Sequence, residues 1–292
     1  MLHTDFIKHL EATCSQLEHK PVQLRAYETV SGGDTHQAYR LAMTDKDYFI
    51  KVSQAVDLTI FEKEALGLQM LSETSGFVIP DVYDCGIFDK SAYILMPYIQ
   101  SMQGVENPEN FAQNLVKLHQ NTWDEYGLAS DNYIGKLPQK NTFNGDWIDF
   151  FWHNRLKFQL DLAGDIIPLD LRKQFDQLFR KLPDILAPEK PALVHGDLWY
   201  GNYFYNLQGQ AVLFDPAVYF GHREVDLAMM SLFGGFSLEV YHIYQVLFPL
   251  QPDWKNRLKI YQLYPLLVHV NLFGPSYLEI IRQVLDFFVK NK

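Results

Sequence analysis

The stretch His195-Gly-Asp-Leu-Trp-Tyr-Gly-Asn202, followed by Phe214-Asp-Pro216, decides how the rest of the chain is read. It sets Asp197 five positions ahead of Asn202, with a second aspartate, Asp215, further along. Catalytic loops for phosphoryl transfer use this spacing: the first Asp receives a hydroxyl proton, while the Asn and the later Asp hold a metal ion. The residue types follow from the ion, because Mg²⁺ takes hard oxygen ligands and keeps phosphates and water in its shell. Thiols or imidazoles would not serve. An H-G-D triplet alone carries little weight, since an Asp ahead of a turn commonly caps backbone groups. Its context supplies more. Apolar runs, Leu193-Val194 and Val212-Leu213-Phe214, flank the two acidic sites as buried strands would, and an apolar helix follows Asp215. His195 itself reads as a structural, hydrogen-bonding residue.

Working outward, a nucleotide site needs a cation and a cover for phosphates upstream. Lys51 interrupts the apolar run Tyr48-Phe-Ile-Lys-Val, as a strand lysine that contacts α- and β-phosphates would. Its expected helical partner is Glu64, which shares a face with Leu68 and Leu71 at i, i+4, i+7; Glu62 is the competitor. Taken singly, Lys51 and Glu64 would each pass for solvated residues. Ser31-Gly32-Gly33-Asp34-Thr35 is read as the phosphate loop, with Gly32 and Gly33 as its glycines. It lacks G-x-G-x-x-G, so only its place before Lys51 gives it that meaning.

Hydrophobic periodicity divides the chain in two. Phe6, Leu10, Cys14 and Leu17 make an opening amphipathic helix. Strand-like runs follow near 22–30, 37–43, 47–53, 82–87 and 91–96, with helical spacing over 58–72, which together predict a five-stranded antiparallel sheet with an inserted helix. After Ile99 the pattern turns helical. Asn107-Pro108 is an N-cap and first-turn pair, and further helices are expected at 145–163, 169–182, 223–234, 237–248, 253–272 and 275–290. Only Leu193-Val194 and Ala211 to Phe214 suggest strands there. The expectation is an α+β chain with an ATP-binding lobe over residues 1–99, a short hinge, and a catalytic and substrate-binding lobe over 100–292.

Composition bounds the partners. The chain has 292 residues, 48% hydrophobic and 21% charged, which is globular and neither disordered nor low in complexity. Lys+Arg of 25 against Asp+Glu of 35 gives −10, without the basic balance that favours nucleic acid or anionic membrane. Two cysteines, Cys14 and Cys85, form no C-x-x-C pair and no disulfide framework, which suits a reducing, cytoplasmic compartment. No leader is expected at the start, and no run of 18 apolar residues predicts a membrane span. H-E-x-x-H and G-x-S-x-G are missing from the sequence, which argues against zincins and α/β-hydrolases.

The central motif, with Phe214-Asp-Pro-Ala-Val-Tyr-Phe-Gly-His-Arg-Glu-Val-Asp-Leu-Ala-Met-Met230 and Phe233-Gly-Gly-Phe236, resembles the fructosamine-3-kinase (ketosamine-3-kinase) family. So do Phe61-Glu-Lys-Glu-Ala-Leu-Gly-Leu68, Asn132-Tyr-Ile-Gly-Lys-Leu-Pro-Gln-Lys-Asn141, Trp147-Ile-Asp-Phe-Phe151 with Arg155-Leu156, and His269-Val-Asn-Leu-Phe-Gly274, covering nearly the whole chain. The resemblance implies a bilobal protein-kinase-like fold, ATP with Mg²⁺, and phosphorylation of the 3-hydroxyl of a ketosamine on a free amine or a protein lysine. By position it makes Asp197 the base, Asn202 and Asp215 the metal ligands, Lys51 and Glu64 the phosphate-orienting pair, and Met96-Pro97-Tyr98-Ile99 the adenine hinge. Trp199 and His222 become candidates for the substrate side or the scaffold, and Asp226 a brace for the catalytic loop. Three departures stand out: Tyr200 fills a position usually small, Asp34 stands where some relatives carry a cysteine, and Pro97 removes one hinge donor. An aminoglycoside-like or choline-like kinase is the rival enzyme, disfavoured by the Asp215-Pro-Ala and Gly221-His-Arg-Glu residues. A nucleotide-binding pseudokinase acting by interaction is the rival of another class, disfavoured by the intact Lys51, Asp197, Asn202 and Asp215.

Overall fold

Helix α1 (Thr4–Glu18) carries Phe6, Leu10 and Cys14 one turn apart, all buried. A helix with one apolar stripe has to lay it on another surface. In the computed structural model, which describes residues 2–30 and 36–290, that surface is a sheet. Its strands are β1 (Leu24–Thr29), β2 (Gln37–Met43), β3 (Asp47–Gln54), β4 (Asp84–Phe88) and β5 (Ser91–Pro97), in the order β1-β2-β3-β5-β4. Every pairing is antiparallel. Helix α2 (Leu58–Thr74) is inserted between β3 and β4.

Side chains alternate between the two faces of a strand, so a single strand can serve two cores. Tyr93 and Leu95 of β5 join Tyr48, Ile50 and Leu41 in the cluster that takes α1. Ala92, Ile94 and Met96 turn the other way, onto Phe61 and Leu68 of α2. Burial of Phe61 and Leu68 contributes about 1.5–3 kcal/mol each. The alternation that buries Tyr48 and Ile50 under α1 sends Phe49 and Lys51 toward α2.

The chain forms two compact units: Met1–Glu73, Phe77–Glu106 and Phe204–Asp215 in the first; Thr74–Gly76, Asn107–Tyr203 and Pro216–Lys292 in the second. Backbone bonds explain why Phe204–Asp215 joins the first. Val78 N donates to Ala211 O and Leu213 N to Val78 O, both at 3.0 Å, and Met102 N donates to Tyr205 O at 2.7 Å.

The second unit begins with α3 (Pro108–His119), capped by Asn107, whose side chain accepts from Asn110 N at 3.1 Å. A hairpin of β6 (Asn132–Ile134) and β7 (Leu137–Gln139) follows. Then come α4 (Trp147–Phe151), a π-helical stretch over Trp152–Lys157, α5 (Phe158–Ala163), α6 (Leu169–Ile185) and β8 (Ala192–Val194). The chain then makes β9 (Tyr203–Tyr205) and β10 (Ala211–Leu213), which pair with each other and lie almost wholly in the first unit's Phe204–Asp215 segment, and on its return to the second unit β11 (Tyr219–Gly221) runs antiparallel to β8, with Tyr219 opposite Val194. Helices α7 (Glu224–Leu232), α8 (Leu238–Leu247), α9 (Trp254–Tyr261), α10 (Leu263–Phe273) and α11 (Leu278–Val289) complete it.

Two expected helices are thus not simple. The segment 145–163 contains the π-helical stretch, and 253–272 breaks at Gln262. Pro265 accounts for the break, because it has no N–H to return to Tyr261 and is tolerated only in the first turn of α10. The expected phosphate loop, with Gly32 and Gly33, lies outside the described residues.

Candidate active site

In the first unit, Lys51 is 6% exposed and donates to Glu64 Oε1 at 2.6 Å. It also donates to Asp215 Oδ1, which brings together residues from β3, α2 and the end of the Phe204–Asp215 segment. Glu64 faces Lys51 because it lies one turn from Phe61 and one from Leu68, whereas Glu62 points to solvent. Burial pulls the Lys51 ammonium downward in pKa, but the carboxylates of Asp215 and Glu64 outweigh it and hold Lys51 above the usual lysine range. Burial pushes Glu64 upward, and the Asp215 carboxylate adds to that against the pull of Lys51. Two acids therefore share one cation. Asp215 adopts a left-handed backbone, φ 54°, a conformation tolerated by Asp better than by bulkier residues and often kept where a carboxylate has to be aimed.

The expected hinge lies in the same unit. Met96 is buried opposite Phe49 and Pro97 closes β5 opposite Tyr48. Tyr98 N donates to Asp47 O at 3.2 Å, and the Arg40 guanidinium sits 4.8 Å from the Tyr98 ring centroid. With no N–H on Pro97 and that of Tyr98 spent on the sheet, the next backbone donor is Ile99.

In the second unit, Asp197 and Asn202 bracket a tight loop between β8 and β9. Asn202 Nδ2 donates to Asp197 O at 2.9 Å and to Asp197 Oδ2 at 3.1 Å, while Asn202 N donates to Trp199 O at 3.0 Å. The Asn side chain thus steadies the carboxylate it follows by five residues. Gly196, with φ 82°, has no room for a side chain, because a Cβ there would collide with Ala217 O. The loop is braced from below by buried Asp226, which accepts from His195 N at 2.8 Å and Gly196 N at 2.9 Å. His119 Nε2 lies 3.2 Å from Asp226 Oδ2, and its Nδ1 lies 2.8 Å from the Tyr244 hydroxyl.

The sequence singles out Asp226 but not His119 or Tyr244. A signal existed: His119 is a polar residue next to Leu118 on the buried side of α3. His222 is corrected by its surroundings. Fully buried, it donates from Nε2 to Ala187 O at 3.1 Å and accepts on Nδ1 from Glu224 N at 3.2 Å, so it belongs to the scaffold and not to a substrate surface. Burial lowers its pKa, keeping the ring neutral. Trp199 is half-buried, edge-on to Tyr200 at 4.9 Å and to Phe233 at 6.2 Å; Tyr200 is 53% exposed.

A family model described as fructosamine kinase matches residues 6–291. The chain belongs to the fructosamine kinase family. It is accordingly a phosphotransferase with an alcohol group as acceptor. An Enterococcus faecium protein assigned as a ketoamine kinase is 42% identical over 264 residues, 89% of this chain and 94% of that one. The chloroplastic protein-ribulosamine 3-kinase of Arabidopsis thaliana is 32% identical over 94% of this chain and 85% of its own length. A solved structure from Thermobifida fusca assigned as a fructosamine-3-kinase superposes with a TM-score of 0.84 at 30% identity, covering 97% of this chain and 99% of that one. An aminoglycoside phosphotransferase in complex with ADP and hygromycin B, 15% identical and covering 94% of this chain and 97% of that one, shares the fold with a TM-score of 0.66. The fructosamine kinase fold of this chain is therefore the protein-kinase-like one.

Proposed function

We propose that this fructosamine kinase family member transfers the γ-phosphoryl group of ATP to the 3-hydroxyl of a ketosamine. The observation that carries the reading is the buried Lys51 ammonium held by Glu64 and Asp215. A lysine is desolvated in this way at a cost, and a phosphate-binding role gives that cost a purpose. The first unit is read as the ATP-binding lobe: Lys51 orients the α- and β-phosphates, Glu64 holds Lys51, and Met96 to Ile99 receive adenine, with the Ile99 N–H as donor. The second is read as the catalytic and substrate-binding lobe.

The donors for a metal fit Mg²⁺. In the second unit Asn202 turns its amide nitrogen to Asp197 and so its amide oxygen away from it, and in the first Asp215 has a carboxylate; these two hard oxygen donors would be the residues to hold the ion. Mg²⁺, when bound, would neutralise charge on the transferring phosphate. Asp197 accepts the proton as the sugar O3 forms its bond to phosphorus and the bond from phosphorus to the ADP oxygen breaks. Asn202 keeps the Asp197 carboxylate in one orientation, and Trp199 offers a flat face at the substrate side.

The product chemistry suits deglycation. A phosphate on C3, beside the C2 carbonyl, leaves far more readily than hydroxide, so the product decomposes and frees the amine. A free amine or a protein lysine would both be acceptors, and two free thiols, Cys14 and Cys85, suit a cytoplasmic enzyme. No helix among the described residues is long and apolar enough to cross a membrane. Phosphorus NMR on purified protein with Mg-ATP and a panel of ribulosamine, erythrulosamine, fructosamine and aminoglycoside acceptors tests the reading. A 3-phosphorylated ketosamine is expected; phosphorylation of aminoglycosides alone, or of nothing, overturns it.

A further inference from the structure

Four buried polar side chains of the second unit take no part in the chemistry above. Asn132 and Gln139 stand at the ends of the β6–β7 hairpin, Asn141 follows it, and Arg155 lies in the π-helical stretch; none is more than 5% exposed. Buried amides and guanidinium groups are costly unless bonded, so the destination of their bonds is informative. Arg155 Nη2 donates to Asn141 Oδ1 at 2.9 Å, and Nη1 donates to Lys140 O. The guanidinium lies over the rings of Tyr219 at 3.9 Å and Phe150 at 4.7 Å. Asn141 Nδ2 donates to Asn132 Oδ1 at 2.7 Å.

From there the cluster reaches out to two consecutive carbonyls. Gln139 Nε2 donates to Asn132 Oδ1 at 2.9 Å and to Ala217 O at 3.0 Å, while Asn132 Nδ2 donates to Val218 O at 2.8 Å. The Tyr264 hydroxyl donates to Gln139 Oε1 at 2.8 Å, which fixes the orientation of that amide. Ala217 is also the residue that meets the catalytic loop: its N donates to His195 O at 2.9 Å, and its carbonyl is the atom that Gly196 makes room for. Ala217 is thus gripped on one side by Gln139 and on the other by the loop that bears Asp197.

We propose that the Asn132, Gln139, Asn141 and Arg155 cluster is a positioning device for phosphoryl transfer, holding Ala217–Val218 in register against His195–Gly196 and so fixing the direction of Asp197. The inference rests on Asp197 being the base. An apolar filling would stabilise the same volume at least as well, whereas directional donors specify which carbonyl goes where. Displacement of a catalytic group by about 1 Å costs on the order of a hundredfold in rate.

Gln139→Met retains volume and removes both donors. The expected result is a kcat lowered about ten- to a hundredfold, a KM for ATP unchanged within about twofold, and faster amide hydrogen exchange confined to Ala217 and the 195–202 peptide. Leu160→Ala, a cavity elsewhere in the same unit, is expected to lower the melting temperature while kcat holds. A folded Gln139→Met protein with wild-type kcat and wild-type exchange overturns the proposal, as does a loss of kcat matched by Leu160→Ala at equal melting temperature. Should Gln139→Met not fold, Asn132→Asp, which turns the donor to Val218 O into an acceptor, carries the same readouts. Wild-type protein inert toward every ketosamine defeats the functional reading alone, since exchange at Ala217 still decides whether the cluster holds the loop.

Discussion

Asp197 and Lys51 differ in how much of their role local sequence can carry. The spacing of Asp197 and Asn202 is a property of one short loop, and the bond from Asn202 Nδ2 to Asp197 Oδ2 is its direct consequence. For Asp197→Asn, size and hydrogen bonding are retained and the base is lost, so turnover on a ketosamine should fall at least about a hundredfold with ATP affinity nearly unchanged. Phosphorus NMR and calorimetry check the two halves; activity within about tenfold of wild type would remove Asp197 from the mechanism. Asp215→Asn should abolish Mg²⁺-dependent ATP binding, because a neutral amide replaces a charged oxygen ligand and the partner of Lys51. Calorimetry showing unchanged Mg-ATP affinity would assign Asp215 to structure. The Glu64 partnership is legible because helical spacing ties it to Leu68. His119 is not, since nothing nearby in sequence says that its ring will meet Asp226, 107 positions away.

Helix α2 is the element that turns a strand lysine into a site. Leu68 is 1% exposed against Ile94 and Met96, and Glu64 stands one turn before it. Leu68→Ala should cost about 2–5 kcal/mol of stability and weaken nucleotide binding through Glu64, measured by denaturant unfolding and calorimetry on the same samples. Unfolding without any change in affinity would mean that α2 packs without positioning Lys51. The five-stranded sheet is readable because its strands run five residues or longer, β2 and the start of β3 alternating and β5 reading as a continuous apolar run buried on both faces. Strands β6, β7, β9 and β11 have three residues each, too few to show a period of two, and they leave no signal in the pattern. Likewise, the π-helical stretch uses the same residue types as an ordinary helix, so its register change goes unmarked.

At the scale of the whole molecule, burial of charge decides how stability responds to pH. Arg223 donates from Nε to Glu189 Oε2 at 2.6 Å and from Nη2 to Oε1 at 2.8 Å, with its guanidinium 3.8 Å from the Phe248 ring centroid. Burial alone would raise the Glu189 carboxyl, but Arg223 outweighs it and holds Glu189 below the usual glutamate range. A depressed native pKa means stability that is present above the unfolded-state value and lost as pH falls through the native one. Glu189→Gln should therefore be less stable than wild type at pH 7 by about 1.5–3 kcal/mol, the worth of hydrogen bonds to a charged group, and the gap should close as pH falls below the usual glutamate range. Parallel melting curves across that range would show that the pair contributes nothing. Local pattern was enough to encode the α+β character, the strand that carries Lys51, and the tight loop with its Asp and Asn. Tertiary structure alone decided that Asp215 would meet Lys51 within the first unit, that His222 would be walled in as scaffold, and that Asn132 and Gln139 would grip Ala217 and Val218. These are contacts between residues 35 to 164 positions apart, and no periodicity reports on them. Which buried polar groups find one another is settled only when the chain has closed and each donor has to be paired.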